Sequence, residues 1–432
     1  MAIWLALIVV LLGLAIGRPR EGGALTVAYF FGLSLIHVPG ALIFVGADTG
    51  SGDRDVTQLG FEMTIIGMCA FVAGTVVARM LDRRRVRRMP ALADPGRGFG
   101  HLGWRTLALG IAAYFVLMPM SSLVPSLTSI VSALGTLLIL GLWLVVYGAV
   151  LEGDQRRLLL TLGLLPALPL ATLVTGGFLG YGVYWVLSVV AFLFVITRDR
   201  TIFYIAAVPV AFLGLSLFVT YMGQRNEIRE AIWYEQSSLF DRIDRVSRIV
   251  TEFQMLDLDN PVHVDAIDGR LNQNSLVGTA IARHEGGLSE FAYGATVPWW
   301  ALIPRAIWPD KPDVGGSGTV VSDFTGISFA AGTSVGIGQA LEFYINFGVV
   351  GEVAGFFGFG FILMWLDRGI MTALLAGDSR GLLLRALPGL TLLQPGGSLL
   401  EIAVAFVAAS VAARLILYLR LFRIPMIVRQ TA

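Results

Sequence analysis

The sequence has few charged residues, and this scarcity decides its class. Only 14% of its 432 residues are charged, against about 25% in soluble domains, whereas 56% are hydrophobic and the mean hydropathy is +0.76. These values exclude an ordinary soluble domain and predict an integral membrane protein. The single cysteine, Cys69, excludes an intramolecular disulfide framework.

Three further observations bear on the partners, the first helix and the possible class of protein. The net charge of +1 gives no reason to expect a nucleic-acid partner. No basic segment precedes the first apolar run, Ala2–Gly17, so we expect a retained helix and not a cleaved signal peptide. No internal repeat is visible, which weighs against transporters built from inverted repeats.

The apolar runs predict about eleven membrane spans, because a hydrocarbon core needs about 20 apolar residues per helix. They lie at about 2–17, 23–46, 60–80, 104–120, 130–151, 157–175, 179–197, 201–222, 336–366, 380–394 and 398–418. Arginine-rich loops alternate along the chain with neutral or acidic loops, and they contain Arg18, Arg20, the run at 83–88, Arg156, Arg157, Arg198, Arg200, Arg368, Arg420 and Arg423. By the positive-inside rule, the N-terminus faces the outside and the C-terminus faces the cytoplasm.

This topology divides the chain into three parts. An N-terminal bundle of about eight spans occupies 1–222, one large outer segment occupies 223–335, and about three spans occupy 336–432. Within the outer segment, apolar residues recur every three or four positions from Leu239 to Phe253. This pattern predicts an amphipathic helix that can rest on the bilayer surface, with Ser237 or Ser238 as its N-terminal cap.

The stretch IPRAIWPDKP, at 303–312 of the outer segment, contains two cations, one acid, three prolines and a tryptophan within ten residues. Its three prolines exclude a regular helix and give a stiff backbone. Arg305 and Lys311, together with Arg283, are suited to binding a diphosphate without metal, because guanidinium and ammonium groups match phosphate oxygens. The alternative is that these cations pair with acids of the same segment or with lipid head groups. Trp308 could stack on a sugar ring or anchor the chain at the membrane surface.

Glycosyl transfer also needs a base that accepts a proton from the attacking hydroxyl, and the outer segment offers His284, Glu285 and Glu290. In the next span, Glu342 and Asn346 lie one helical turn apart on one face, and ionisable residues in a membrane are by default functional candidates. Glu342 is counted with the catalytic candidates, and Asn346 with those that bind substrate; the alternative is that both only position Arg283 or Arg305. No metal-ligand pattern is present, so neither a metal nor a cofactor is expected.

Three parts of the second half resemble a known family. IPRAIWPDKP, the glycine-rich run after it and GIGQALEFYINFGVVGEVAGFFGFGF are similar to the signature of Wzy-type polymerases of O-antigen and oligosaccharide repeat units. The resemblance implies a membrane-embedded glycosyltransferase of GT-C architecture that moves a growing glycan from undecaprenyl diphosphate onto a lipid-linked repeat unit. It also implies a bacterial inner membrane, a periplasmic site, and outer-segment arginines such as Arg283 and Arg305 as ligands of the lipid diphosphate.

Two other functions stay open at this point. A ligase that transfers finished glycan would use the same cations in the same roles. A transporter of an anionic solute would use the outer segment as a gate, but it would be expected to carry ionisable residues in several spans, whereas here they concentrate in the outer segment and the following helix. Besides membrane lipid, a chain-length regulator and a flippase are candidate partners.

Overall fold

The computed structural model describes residues 1–17, 22–45, 53–81, 96–121, 128–233, 238–297, 300, 303, 307–308, 310, 317–329 and 335–422. Helix is the only regular secondary structure in these ranges. The helices of the N-terminal part are α1 Ala2–Gly17, α2 Ala24–Phe44, α3 Asp53–Leu81, α4 Gly96–Ala112 with a π turn at Ala113–Leu117 and a last turn at Met118–Met120, α5 Thr128–Gly135, α6 Leu137–Glu152, α7 Gln155–Gly163, α8 Ala167–Gly176, α9 Leu179–Ile196 and α10 Thr201–Trp233.

Seven helices follow α10. They are α11 Leu239–Thr251, α12 Pro261–Leu271, α13 Gln273–Glu285, α14 Ser317–Thr325, α15 Gln339–Ala376, α16 Ser379–Thr391 and α17 Leu399–Tyr418. Helix α10 therefore continues past residue 222, where the sequence suggested that the membrane bundle ends.

Nine segments of the described chain are long and apolar enough to cross a membrane, which confirms the expected polytopic, all-helical class. Two of the eleven expected runs form shorter helices, α1 of 16 residues and α16 of 13 residues. At 1.5 Å per residue, α16 rises only about 20 Å, whereas a hydrocarbon core is about 30 Å thick. The count of eleven spans stays a prediction.

The bundle has a clear centre and a clear lipid face. Helix α6 is apolar on every side and is buried from Leu137 to Ala149, as expected for a helix surrounded by other helices. Helix α10 is the opposite case, because only 11% of its apolar window is buried and side chains such as Val208 are exposed. An apolar helix with this exposure packs against lipid along most of its length.

Glycines bring α3 into backbone contact with two other helices. A methyl group at Gly74 would overlap the Phe357 carbonyl of α15, and a methyl group at Gly278 of α13 would overlap the Val56 carbonyl of α3. Small residues allow such close packing of helices. Helix α13 belongs to the segment 223–335, which the sequence predicts to lie outside the membrane, and this contact packs that segment directly on α3.

The expected amphipathic helix forms as α11 and is capped by Ser238, whose hydroxyl accepts from the Asp241 backbone N–H while the Asp241 carboxylate accepts from Ser238. Its side chains Val246 and Ile249 are buried in an apolar cluster that includes Ile228 of α10. The opposite face remains exposed; Phe240, for example, is 81% exposed. The predicted helix and its Ser238 cap are confirmed, and contact of this helix with the bilayer surface stays a prediction.

One sequence expectation is wrong. Arg368 was expected in a loop, but α15 runs on to Ala376 and places Arg368 inside the bundle, 2% exposed. There its guanidinium donates to the carbonyls of Ala78 and Arg79 at the end of α3. Arg368 is therefore not evidence for a cytoplasmic loop.

Candidate functional site

The central feature of the site is a break in α15 at Phe347 and Gly348. Gly348 has φ 60° and ψ −147°, a combination that essentially only glycine adopts. The Phe343 ring lies 5.2 Å from the Phe356 ring, although these residues would be about 20 Å apart along a straight helix. The two halves of α15, residues 339–346 and 349–376, therefore fold against each other. The single span predicted at about 336–366 is divided by this break.

A segment before the prolines of the outer region covers the break. The Ala292 N–H donates to the Ile345 carbonyl at 2.8 Å, and the Tyr293 N–H donates to the Asn346 carbonyl at 3.1 Å. In an unbroken helix these carbonyls would accept from residues four positions later. Ala292 and Tyr293 thus supply hydrogen bonds that the break removes, and these bonds attach the segment to α15.

Glu342 and Asn346 share a helix face, as their spacing predicts, and both contact Thr296. The Thr296 hydroxyl donates to Glu342 Oε1 at 3.0 Å and accepts from Asn346 Nδ2 at 2.7 Å. Asn346 Oδ1 also accepts from the Gly294 N–H at 2.8 Å, and Glu342 Oε2 accepts from the Leu399 N–H at 2.6 Å. Both side chains are at most 3% exposed. They hold residues 294–296 and the start of α17 in place.

Gln339, one turn before Glu342, extends this buried network. Its Oε1 accepts from the Tyr29 hydroxyl at 2.9 Å, and its Nε2 donates to the carbonyls of Gln394 and Gly397. Sequence reasoning did not select Gln339 or Thr296. The spacing from Glu342 was a usable signal for Gln339, whereas no sequence pattern connects Thr296 to residues 46 and 50 positions away.

His284 lies at the end of α13, where its ring stacks on Phe291 with ring centroids 3.9 Å apart. Its Nδ1 lies 3.0 Å from the Ser289 carbonyl. A carbonyl oxygen can only accept, so Nδ1 carries the proton of the neutral ring and Nε2 retains a lone pair. Since residues 289–296 contact both His284 and the Glu342–Asn346 pair, the structure brings these three predicted residues to one segment.

Arg283, the neighbour of His284 in the chain, lies against the turn after α14. Its half-buried guanidinium approaches Gly326 so closely that a methyl group there would lie 2.5 Å from Nη1. Its Nε is buried without a hydrogen-bond partner, and no described carboxylate forms an ion pair with it. Arg283 is thus a cation whose charge is not neutralised by a described neighbour.

The structure describes two of the four remaining predicted residues, Glu285 and Trp308. Glu285 is exposed, and Trp308 is 39% exposed. Arg305 and Lys311 lie outside the described residues, so their roles stay predictions. The ranges that the structure describes contain no group of three or more His, Cys, Asp or Glu side chains placed to hold a metal ion.

The fold and this site define a class: a polytopic, all-helical membrane protein in which the long helix α15 is broken and is bound at the break by residues 292–294. No family model matches the chain, and no curated protein or solved structure shows significant similarity to it.

Proposed function

We propose that the protein is a membrane-embedded polysaccharide polymerase that transfers a growing glycan from undecaprenyl diphosphate onto a lipid-linked repeat unit. The observation that carries the proposal is the adjacent pair Arg283 and His284 beside the broken helix. It provides a cation without a carboxylate partner and a ring nitrogen with a free lone pair. The proposal includes GT-C-like architecture, a bacterial inner membrane, a periplasmic N-terminus and a cytoplasmic C-terminus.

In the proposed reaction, the bond between the anomeric carbon and the diphosphate oxygen breaks while an acceptor hydroxyl attacks that carbon from the opposite face. The hydroxyl proton passes to His284 Nε2, with Glu285 as the second candidate base. The diphosphate leaves with the bonding electron pair, and Arg283, Arg305 and Lys311 stabilise its charge. Trp308 would contact sugar. The configuration at the anomeric carbon is inverted.

Glu342 and Asn346 act in this scheme as positioning residues. Both are buried, and their polar atoms bind Thr296, Gly294 and Leu399. Through residues 292–296 they hold Phe291, which stacks under the His284 ring. We therefore expect their substitution to change the placement of the base and not to remove a reacting group.

The test is the surface glycan ladder of a deletion strain complemented with variants that reach the membrane in equal amounts. We expect His284→Gln to leave only single repeat units, since general-base catalysis is worth about 10²–10⁴-fold. Arg283→Gln should have the same result, because it removes a cation that stabilises the leaving diphosphate. His101→Gln, at an exposed position on α4, is the matched control and should give a normal ladder. A normal ladder from His284→Gln would rule out that residue as the base.

The same strains separate the polymerase from a ligase, because loss of a ligase leaves free lipid-linked polymer of normal length.

A transporter of an anionic solute is the second candidate class, and the broken helix favours it, since many transporters bind substrate where a span is broken. Uptake of labelled anion by proteoliposomes, together with an unchanged glycan ladder in the deletion strain, would favour the transporter.

A further inference from the structure

A buried acid that the proposed reaction does not use lies one turn after the break in α15. Glu352, in the first turn of residues 349–376, is 0% exposed, and neither of its carboxyl oxygens has a hydrogen-bond partner. Among the residues that the structure describes, no ion pair involves it either. An acid within a membrane span is costly and is therefore a functional candidate.

Helix α3 closes the space around this carboxyl. A methyl group at Gly67 would lie 2.6 Å from Glu352 Oε1 and 2.5 Å from the Phe356 ring, so the glycine leaves room for the acid that an alanine would fill. The two helices are also in backbone contact further along, because a methyl group at Gly360 of α15 would overlap the Phe71 carbonyl of α3. The carboxyl is therefore enclosed between α3 and α15.

The cations of α13 and α15 do not reach this carboxyl. Arg368 lies 16 residues further along α15, about 24 Å away, where it donates to the end of α3. On α13, Arg283 lies against the turn after α14, and the His284 ring stacks on Phe291. The first turn of 349–376 carries partial positive charge, but none of its N–H groups donates to the carboxyl. This attraction is much weaker than the cost of burying an unpaired carboxylate.

The other titratable groups on the neighbouring helices give no compensation. Glu62 and Cys69 of α3 are exposed. The Tyr29 hydroxyl of α2 donates to the side-chain amide one turn before Glu342, and Glu342 accepts from its own partners. Glu352 thus meets no group that would stabilise a negative charge, and a neutral acid costs far less in such surroundings.

We propose that Glu352 is a proton-binding site. Its carboxyl carries a proton while α3 and α15 are in contact, and the proton leaves only when these helices separate. On release the O–H bond breaks, the proton passes to water, and the carboxylate keeps the bonding electron pair. A proton suits the site better than a metal ion, because hard cations take several oxygen ligands and the described ranges place no cluster of acidic side chains here. The site does not rest on the proposed polymerase function.

The first test is the infrared spectrum of the purified full-length protein at about pH 7, where exposed carboxyl groups are ionised. A protonated acid has a C=O stretch separate from the bands of carboxylates. We expect such a band in the wild type and its loss in Glu352→Gln, which is neutral and of the same shape. Glu252→Gln, at an exposed position at the end of α11, is the matched control and should keep the band. The band should shift only slowly in D₂O, because α3 covers the carboxyl.

The pH dependence of stability gives a second readout. An unfolded glutamate loses its proton above about pH 4, whereas the folded one keeps it, so the folded state binds one more proton and becomes less stable as the pH rises. The ratio of folded to unfolded wild type should therefore fall by up to about tenfold more per pH unit than that of Glu352→Gln. Amide exchange at the contact of α3 with α15 should rise with pH in the wild type and not in the variant.

If Glu352→Gln does not fold, Glu352→Met carries the test, since an apolar side chain of similar length suits surroundings that hold a neutral acid. Failure of both variants to fold would contradict a neutral acid at this position. An acid band that neither variant removes, or equal pH slopes, would overturn the proposal. Stabilisation of the wild type by Na⁺ or K⁺ that Glu352→Gln abolishes would assign a metal cation in place of the proton and would overturn it as well.

Discussion

Asp367 and Arg368 are neighbours in the chain and bind opposite ends of two different helices. The Asp367 carboxylate accepts from the Leu25 and Thr26 N–H groups at 2.8 and 2.9 Å, at the start of α2. Arg368 donates to the carbonyl of Arg79 at the end of α3. The start of a helix carries partial positive charge and its end partial negative charge, so each side chain meets the complementary end. The pair thereby connects α15 to α2 and α3 inside the bundle.

The first prediction concerns this cap. Asp367→Asn removes the negative charge and one acceptor oxygen, which leaves a buried N–H of α2 without a partner. We expect the unfolding free energy in detergent to fall by about 1–3 kcal/mol. Asp199, which accepts from the Thr201 N–H at an exposed helix start, is the matched control, and Asp199→Asn should cost less. Equal losses of unfolding free energy in the two variants would show that burial does not increase the contribution of the Asp367 cap to stability.

The second prediction concerns the break in α15. Gly348→Ala forces a side chain into a glycine conformation and brings its methyl group to 2.8 Å from the Phe291 ring. We expect a loss of about 1–3 kcal/mol and a lower thermal midpoint. Gly358→Ala, in the same helix but with open space around the new methyl group, should leave stability unchanged or raise it. A tolerated Gly348→Ala would mean that the break does not require glycine.

A third prediction tests how the outer segment is attached. Gly278→Ala places a methyl group on the Val56 carbonyl, so α13 must move away from α3. We expect increased amide hydrogen exchange in α13 and a loss of about 1–3 kcal/mol from this overpacked contact. Gly269→Ala, on the neighbouring helix α12, has no atom within 4 Å of the new methyl group and serves as the control. Unchanged exchange in α13 would contradict the close packing of the two helices.

The fourth prediction concerns Thr296. Thr296→Val keeps the shape of the side chain but removes the hydroxyl that joins Glu342 to Asn346. We expect a loss of about 1–3 kcal/mol, since buried polar atoms lose their partner, together with faster amide exchange at residues 292–294. Thr296→Ser restores the hydroxyl and should recover most of both effects. If Ser and Val behave alike, the hydroxyl is not what holds the segment.

The class of the protein and many local features follow from the sequence alone. Apolar runs predict helices because lipid provides no hydrogen-bond partners for a backbone, and the structure places most of these helices within a few residues of their expected ends. The Ser238 cap and the shared face of Glu342 and Asn346 were equally predictable, since both depend on residues three or four positions apart.

Other features were decided by tertiary contacts. The sequence GVVGE does not by itself reveal a break, because glycine is tolerated within helices. The break persists because Ala292 and Tyr293 donate to the freed carbonyls and Phe343 packs on the second half of α15. The sequence alone predicts Arg368 to be a loop residue. Its place inside the bundle is evident only when α3, whose Arg79 carbonyl accepts from it, is packed beside α15. Thr296 acquires its partners only when the outer segment folds onto α15. Local spacing encodes helices and caps, whereas contacts between distant residues depend on how the helices pack.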